Sequence, residues 1–367
     1  MYLEKLYLSN FRNYAEANFA FSPHINCILG ANGSGKTNLL EAIYLLALTK
    51  TVSSSPDMLN ICHGQNGFFL EGIFSNESSS EQITCSVFHG QKKVFTHDKV
   101  PYERLIEHIG KYPLVLISPD DTDIIREASD IRRKFFDGIL SQASHAFLLI
   151  YQQYNRVLDQ RNKLLKQFAE RKYLDKDLLM AYNEPLLALG KQIFDARTSF
   201  LAEFLPRFLG HYQSLSEGKE IAGISYVSSW QSQDFMDEFL ANQSADLHAQ
   251  RTLLGCHKDD FLFTLDGHPT KKFGSQGQKK SFVMALRLAQ YELLESHTGR
   301  KPLLLLDDIF DKLDDHRVRK LMEMVSHHDF GQIFITDTGR ERVQSIFKEI
   351  NVEVTLFEVE NGMIKHA

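Results

Sequence analysis

The spacing of apolar residues changes twice along this chain. Residues 1–30 alternate, with Leu6 and Leu8 against Lys5 and Ser9, which predicts strands. From residue 120 to about 205 the apolar positions recur at helical spacing, which predicts two or three long helices. Strand character returns at residues 260–266, and the apolar run 303–306 predicts a fully buried parallel strand. The order predicts an α/β fold in which an α-helical lobe interrupts a β-rich head.

Turn residues and further strands refine these boundaries. Residues 68–74 and 83–89 alternate like paired strands of an antiparallel layer, and residues 114–118 form a buried strand that ends at a proline. In the helical region we expect turns near residues 169–170 and at Pro206. We therefore assign residues 1–118 and 252–367 to the head and residues 119–251 to the lobe.

The segment from Gly30 to Thr37 fits the phosphate-loop pattern G-x-x-x-x-G-K-[ST], between a predicted strand and a predicted helix. A triphosphate needs several backbone N–H groups at once, and glycines allow the tight concave path that presents them. The alternative is a glycine-rich turn that binds nothing. The candidate nucleotide-binding residues of this loop are Gly30, Ala31, Asn32, Gly33, Ser34, Gly35, Lys36 and Thr37.

Two further acidic positions complete this chemistry. Lys36 is expected on the β and γ phosphates and Thr37 on Mg²⁺. The buried strand 303–306 ends in Asp307 and Asp308, at the edge where parallel sheets place ligand chemistry. We expect Asp307 to hold Mg²⁺, and Asp308 to act with Lys36 in catalysis by orienting or deprotonating the attacking water. The alternative is a pair of capping acids.

Composition limits the function classes. The formal net charge of −6 excludes a generally basic, DNA-coating surface, so nucleic-acid contacts must come from local patches. The longest apolar runs fall far short of the roughly 20 residues that span a bilayer, and the alternating N-terminus lacks the apolar core of a signal peptide. Four dispersed cysteines indicate a reducing compartment. We expect a cytoplasmic protein without membrane contact.

A second candidate anion site lies at the N-terminus of the long helix that starts near residue 275. Ser275 occupies an N-cap position, and the nucleotide-binding candidates here are Ser275, Gln276, Gly277 and Gln278. One subunit rarely needs two such sites for one triphosphate. The economical interpretation is the ABC-type arrangement, in which Ser275 and Gly277 of one subunit close over the γ-phosphate held by Lys36 of another. ATP then joins a head-to-head homodimer.

These motifs together resemble the RecF family, bacterial recombination-mediator ATPases related to the heads of SMC proteins. The resemblance covers nearly the whole chain, and only small departures occur, such as Lys258 where arginine is usual. It is carried by Leu8-Ser-Asn-Phe-Arg-Asn-Tyr14, the phosphate loop, Ser118-Pro-Asp-Asp121, Arg132-Arg-Lys-Phe-Phe-Asp137, Gln160-Arg-Asn-Lys-Leu-Leu165, Gly255-Cys-His-Lys-Asp-Asp260, Ser275-Gln-Gly-Gln278, Leu305-Leu-Asp-Asp308 and Leu313-Asp314.

The resemblance implies an ABC/SMC-type P-loop ATPase head, with a mixed sheet plus an antiparallel β layer, and an inserted α-helical lobe. It implies ATP-dependent dimerisation, binding of gapped or junction DNA, loading of RecA with RecO and RecR, and support of SOS induction. Asp314 would be the D-loop residue at the dimer seam. Residues 336–338 would take the switch position, where many ABC proteins have histidine, so hydrolysis would be weak and serve as a timer.

Candidate DNA contacts are less well defined. Arg132, Arg133 and Lys134 form the clearest cationic run, and a looser set, Arg156, Arg161, Lys163 and Lys166, follows on the predicted helical lobe. Charge runs on helices are usually solvated faces, and the first run could equally anchor the lobes. Arg12 could face the nucleotide or be a solvated hairpin charge.

Two other functions use the same nucleotide motifs. An ABC transporter ATPase subunit would not need a helical insert of domain size or the segment 255–260. A DNA-translocating motor such as a helicase would need further motifs that couple hydrolysis to movement along nucleic acid, and the sequence has none that we recognise. Both remain alternatives to a DNA-binding clamp.

Overall fold

The computed structural model describes residues 1–52, 56–76, 78–308, 330–349 and 353–366. The chain divides into two compact units, Met1–Asp121 with Gln290–Ala367, and Thr122–Ala289. None of the helices in these described ranges combines the length and apolar character needed to cross a membrane. Several sequence assignments at residues 309–329, including Asp314, lie outside the described residues.

The described strands are numbered in chain order. They are β1 Tyr2–Phe11, β2 Tyr14–Ala20, β3 Ile25–Leu29, β4 Gly67–Ser75, β5 Ser80–Phe88, β6 Val94–His97, β7 Val100–Pro101, β8 Leu114–Ile117, β9 Ala222–Val227, β10 Asp260–Leu265, β11 His268–Pro269, β12 Leu303–Leu306, β13 Ile333–Asp337, β14 Thr355–Glu360 and β15 Met363–His366.

The described helices follow the same convention. They are α1 Lys36–Leu48, α2 Asp123–Arg126, α3 Ser129–Ala143, α4 His145–Arg171, α5 Lys176–Ser216, α6 Phe235–Ala241, α7 Gln243–Ala249, α8 Thr270–Phe273, α9 Gln276–Thr298 and α10 Arg340–Glu349.

The first unit contains two sheets. One is antiparallel, in the order β2-β1-β4-β5-β6-β7, and the other runs β15-β14-β3-β13-β12-β8 with all pairs parallel except β14–β15. The predicted mixed sheet plus antiparallel layer is confirmed. Every residue of β3, β8, β12 and β13 is buried, as the continuous apolar runs of strands covered on both faces require.

Helix α1 connects the two sheets of the first unit. Its buried Leu39, Ile43 and Leu46 share one apolar core with the alternating residues of β1, such as Leu6 and Leu8. Burying large aliphatic side chains of this kind contributes about 1.5–3 kcal/mol each. The core therefore fixes α1, and with it the loop before α1, against the end of β3.

The second unit is organised around the antiparallel helices α4 and α5. The predicted turn at Pro206 is wrong, because α5 continues through both Pro185 and Pro206 to Ser216. Phe204 and Phe208, two residues before and after Pro206, are buried, and their rings pack against Phe136 and Phe282. This packing outweighs the hydrogen bond that a proline removes from a helix.

The second unit also extends beyond the predicted lobe. It continues to Ala289, where the sequence boundary was set at residue 251. The strand β10 pairs with β9, and the Phe261 ring lies 4.1 Å from the ring of Phe136 on α3. The boundary predicted from the return of strand character was wrong because this small sheet, β11-β10-β9, packs on the helices of its own unit.

Candidate nucleotide site

The phosphate loop of the first unit has the predicted strand-loop-helix context. It follows β3, and α1 begins at Lys36 with Gly35 as its N-cap. Gly35 has φ 119°, and a Cβ there would meet the Asn13 amide at 2.6 Å. At Gly30 a Cβ would meet the Val359 carbonyl oxygen at 2.3 Å. Both positions therefore require glycine for steric reasons, independent of any ligand.

Side chains from the β1–β2 turn hold this loop. Asn13 donates from Nδ2 to the Ser34 carbonyl at 2.9 Å, and Tyr14 donates its hydroxyl proton to the Gly35 carbonyl at 3.0 Å. The Gly362 N–H, in the β14–β15 turn, also donates to the Ser34 carbonyl, at 2.9 Å. Sequence reasoning gave these three residues no role, although Asn13 and Tyr14 belong to a segment that carries the family resemblance. They occupy loop carbonyls and pre-form the loop.

Lys36 is buried and bends back over the loop. Its ammonium donates to the carbonyls of Gly30 at 2.8 Å and Ala31 at 3.1 Å. Buried cations need such partners, because an unpaired charge in a protein interior is costly. Neutral carbonyls are weaker partners for an ammonium group than phosphate oxygens are. The predicted role of Lys36 on a triphosphate is compatible with this position.

Thr37 and Asp307 face one another across the site. The Thr37 hydroxyl lies 3.2 Å from each carboxylate oxygen of Asp307. Two oxygens on adjacent corners of a Mg²⁺ octahedron lie about 2.9 Å apart when each bond is about 2.0–2.1 Å. A hydroxyl and a carboxylate are also the oxygen ligands that Mg²⁺ prefers. The pair predicted from sequence therefore fits a Mg²⁺ site.

The buried environment of Asp307 disfavours the ionised form of its carboxyl group. Burial raises its pKa above the usual range, and hydrogen bonds from Thr336 and Thr37 act in the opposite direction. Thr336 donates to Asp307 Oδ1 at 2.6 Å and was not assigned this role from sequence. A bound cation would favour the ionised carboxylate, since opposite charge stabilises the charged form.

Asp308 occupies an unusual backbone conformation beside Asp307. Its φ is 43°, in the left-handed region, and its N–H donates to the Thr336 hydroxyl at 2.9 Å. Its Oδ1 atom is buried without a hydrogen-bond partner among the described residues. Strain and unpaired polar atoms of this kind concentrate at functional sites. The catalytic role of Asp308 stays a prediction.

Arg12 is engaged within the chain rather than being only a solvated hairpin charge, and its contact with nucleotide stays a prediction. Its Nε donates to Asn60 Oδ1 at 3.1 Å, and Nη2 lies 3.6 Å from Glu41 Oε1 on α1. Burial raises the pKa of Glu41, and Arg12 opposes that effect. Arg12 therefore ties the β1–β2 turn to the helix that follows the phosphate loop.

The second candidate anion site, residues 275–278, lies in the other unit. Ser275 precedes α9 and forms a reciprocal cap with Gln278, with N–H donors at 2.6 and 3.2 Å. The exposed Gln276 accepts from Arg126 Nη2 at 2.9 Å, and Gln278 donates to Glu220 at 2.9 Å. The predicted N-cap at Ser275 is confirmed. Nucleotide contact by residues 275–278 stays a prediction.

The predicted DNA-binding run is largely engaged inside the second unit. Arg132 forms a bidentate pair with Asp260, at 2.7 and 2.9 Å, and Arg133 donates to Ser129 at 2.8 Å and to the Asp259 carbonyl. Lys134 is exposed and pairs with Asp130 at 3.3 Å. These contacts engage the two arginines within the second unit, and DNA contact by residues 132–134 stays a prediction.

The looser cationic set on α4 also contains one internally paired residue and several exposed ones. Arg161 is fully buried and donates to Asp246 Oδ2 at 2.8 Å. Arg156, Lys163 and Lys166 are exposed, and no carboxylate in the described part of the chain pairs with them. They are the cations of this helix that a phosphate backbone could reach.

Comparison with known proteins shows which family this chain belongs to. Residues 2–365 match the family described as the RecF/RecN/SMC N terminal domain. The DNA replication and repair protein RecF of Flavobacterium johnsoniae is 45% identical over 359 residues, which cover 98% of this chain and all of that protein. This chain belongs to the RecF family.

Solved structures agree with the RecF assignment. A structure of the recombination mediator protein RecF with ATP, from the RecFOR pathway, superimposes with a TM-score of 0.90 at 28% identity, and covers 100% of this chain and 97% of that one. An Smc head bound to the C-winged helix domain of ScpA gives 0.59 at 16% identity, covering 100% and 96% of the two chains, and supports the fold alone. The predicted ABC/SMC-type head fold is confirmed.

Proposed function

We propose that this protein binds ATP with Mg²⁺ and works as an ATP-gated DNA clamp in recombinational repair. The observation that carries the proposal is the placement of Thr37 opposite Asp307 at 3.2 Å, directly after a phosphate loop that is already formed. The ATP named for the RecF structure with TM-score 0.90 also supports it. A transporter subunit would share this pocket, but not the family membership.

Each residue of the pocket has a separate task in this proposal. Bound MgATP supplies the triphosphate and the cation that balances its charge. Lys36 exchanges its contacts with the Gly30 and Ala31 carbonyls for the β and γ phosphates. Thr37 and Asp307 hold Mg²⁺, and Asp308 orients the attacking water and accepts its proton.

The pocket is completed by a second copy of the chain. Ser275 and Gly277 at the start of α9 offer a capped helix N-terminus to the γ-phosphate bound by the partner, where the helix dipole favours negative charge. Asp314 is assigned to the seam of this dimer. Hydrolysis is weak and acts as a timer that reopens the dimer, because no histidine occupies residues 336–338.

The dimer holds gapped or junction DNA, and acts with RecO and RecR to load RecA and support SOS induction. The names of the relatives and the RecFOR pathway of the solved structure support this role. Exposed Lys134, Arg156, Lys163 and Lys166 are the proposed phosphate contacts in the second unit, since the neighbouring arginines are engaged internally.

Gel filtration with and without ATP tests the shared pocket. We expect ATP-dependent dimers that prefer gapped or duplex DNA over single strands and do not unwind it. Lys36→Met should abolish dimers by weakening nucleotide binding, whereas Ser275→Arg should bind ATP and remain monomeric. A mixture of the two variants should regain a dimer, because one composite pocket is then intact. Normal dimers of Ser275→Arg would contradict the shared pocket.

Asp308→Asn provides the test of hydrolysis. The amide cannot accept the water proton, so this variant should bind ATP and form a long-lived dimer. Rapid ATP turnover by Asp308→Asn would remove this residue from the proposed role. A monomer that binds ATP but ignores DNA would favour the transporter alternative, and ATP-driven strand separation would favour the motor.

A further inference from the structure

Thr336 lies at the end of β13, beside the strand that carries the acidic pair. In the parallel register Leu306 of β12 pairs with Ile335 of β13, so Thr336 is level with Asp307. Its side chain is fully buried. The family resemblance places residue 336 in the switch segment, but it assigns no partner to its hydroxyl.

The Thr336 hydroxyl is shared between two neighbouring residues. Oγ1 lies 2.6 Å from Asp307 Oδ1 and 2.9 Å from the Asp308 backbone nitrogen. The amide can only donate, so the hydroxyl accepts from Asp308 and gives its single proton to Asp307. One side chain therefore fixes a carboxylate of the predicted Mg²⁺ site and the backbone of the predicted catalytic residue.

The two contacts have different consequences. Asp307 Oδ1 also lies 3.2 Å from Thr37 Oγ1, so the bond from Thr336 sets how the carboxylate faces the Mg²⁺ position. At Asp308 the accepted N–H bond helps to hold a backbone with φ 43°, in the left-handed region that non-glycine residues adopt uncommonly. Asp308 also has a buried Oδ1 atom that lacks a hydrogen-bond partner in the described chain.

We propose that Thr336 is a positioning residue that aligns Asp307 for Mg²⁺ and Asp308 for its reacting partner through a single hydroxyl. The inference rests on the proposed nucleotide-binding function and deepens it. Both contacts of the Thr336 hydroxyl end on the acidic pair, where outer-shell hydrogen bonds orient metal ligands.

The experiment measures binding of ATPγS as Mg²⁺ is varied, with EDTA as the metal-free point, and the melting temperature of the ligand-free protein. Thr336→Val keeps the shape and removes the hydroxyl, Thr336→Ser keeps the hydroxyl, and Thr336→Cys keeps a weak donor at similar volume. Thr84→Val is the matched control, because it removes a hydroxyl from the antiparallel sheet, where Thr84 bonds Thr96 at 2.7 Å.

We expect Thr336→Val to require about 10- to 100-fold more Mg²⁺ for the same ATPγS binding, the range typical of lost outer-shell hydrogen bonds. Its metal-free ATPγS affinity should match that of Thr84→Val. Thr336→Ser should stay within about threefold of the original protein, and Thr336→Cys should lie between Ser and Val, so that the order follows donor strength rather than volume.

Wild-type Mg²⁺ dependence in Thr336→Val would overturn the inference. So would an equal loss of ATPγS binding with and without Mg²⁺ together with a lower melting temperature, because that pattern indicates a structural role. If Thr336→Val does not fold, the Ser and Cys variants decide by the same criterion. Failure of the unsubstituted protein to bind ATPγS would instead overturn the proposed function, and the inference with it.

Discussion

The nucleotide pocket of the first unit and the ionic core of the second use the same residue types in opposite ways. In the core, Arg197 donates from Nε and Nη2 to Asp137 at 2.9 and 2.8 Å, and from Nη1 to Asp259 at 2.8 Å. In the pocket, Lys36 is bound only to neutral carbonyls and Asp307 only to hydroxyls among its described partners.

The difference lies in how completely the buried charges are paired. Arg197 compensates Asp137 and Asp259, and Tyr226 donates a further hydrogen bond to Asp259. In the pocket, Ser34 Oγ and Asp308 Oδ1 are buried without a hydrogen-bond partner in the described chain. Burial raises the pKa of Asp307 and the charge of the Lys36 ammonium acts in the opposite direction, but no described cation forms a salt bridge with this carboxylate. Asp259 Oδ1 in the core also lacks a hydrogen-bond partner among the described residues, so the two regions differ in the pairing of their charges rather than in complete hydrogen bonding. Carboxylates beside a buried arginine are compensated within the fold, whereas a carboxylate without such a partner can gain from a bound cation.

Removing the arginine at the centre of the ionic core should have the largest effect. Arg197→Met leaves Asp137 and Asp259 buried without their counter-charge, which typically costs 3–5 kcal/mol. We expect the free energy of unfolding by urea to fall by about that amount for the second unit. The matched control is Lys191→Met on the same helix, whose exposed pair with Asp195 contributes at most about 1 kcal/mol.

Nucleotide affinity separates the two regions further in these variants. Arg197→Met protein that stays folded at low temperature should bind ATP normally, because the described hydrogen bonds of Arg197 are to Asp137, Asp259 and the Cys256 carbonyl of its own unit. Equal stability losses in Arg197→Met and Lys191→Met would contradict the assignment of the network as the stabilising element of its unit.

The next effect concerns binding rather than stability. Lys36→Met removes a cation whose hydrogen bonds to the described residues are two bonds to carbonyls, so the free energy of unfolding should change by about 1 kcal/mol or less. ATP affinity should fall roughly 100-fold, equivalent to about 2.7 kcal/mol. Calorimetric titration with ATP and urea unfolding measure the two quantities. A large loss of stability with normal ATP binding would contradict this prediction, because Lys36 would then stabilise the fold rather than bind nucleotide.

The pocket was more predictable from sequence than the ionic core. The phosphate loop lies within eight consecutive residues, and the Asp307–Asp308 pair follows one apolar run, so local pattern was sufficient. Residues 336–338 were placed at the switch position, but the contact of Thr336 with Asp307 was not predicted, because it depends on strand order and register. Likewise, the sequence around Arg132 shows three adjacent cations but not that Asp260, 128 residues later, pairs with the first of them.

The fold shows the same limit. Apolar periodicity identified the long helices of the second unit correctly. A turn was predicted at Pro206, but packing along α5 keeps the helix intact there. The boundary at residue 251 failed for a related reason, since strand character cannot tell which unit a strand will join. Tertiary contacts determine both the continuation of α5 and the boundary of the unit, and local sequence propensity does not encode such contacts.

A smaller effect is expected from pH, and it should be similar in both units. His108 in the first unit and His257 in the second each bond a backbone carbonyl through Nε2, at 2.7 and 3.0 Å, and a tyrosine hydroxyl through Nδ1. Burial lowers the pKa of both to about 4 from the ordinary value of 6.5. The carbonyl partner indicates that Nε2 carries the proton in each.

Because the folded pKa is depressed, the unfolded histidine takes up a proton first as pH falls. Stability should therefore be intact above about pH 6.5 and decline toward pH 4, by about 1–2 kcal/mol per histidine at pH 5.5. Urea unfolding at pH 7.5 and 5.5 measures this. His108→Gln and His257→Gln, which cannot protonate, should each reduce the pH dependence, and an unchanged pH dependence in both would contradict the assignment.

The smallest effect concerns the cations of α4. Lys163 is exposed and unpaired in the described chain, whereas Arg161, two positions earlier, is buried against Asp246. We expect Lys163→Ala to weaken duplex DNA binding two- to fivefold regardless of sequence, and to reduce the slope of log affinity against log salt by about 0.9, the value for one lost phosphate contact. The paired Lys191→Ala is the control and should change neither. An unchanged salt slope in Lys163→Ala would show that α4 is only a solvated face, and the distinction between paired and unpaired cations would then carry no information about DNA in this unit.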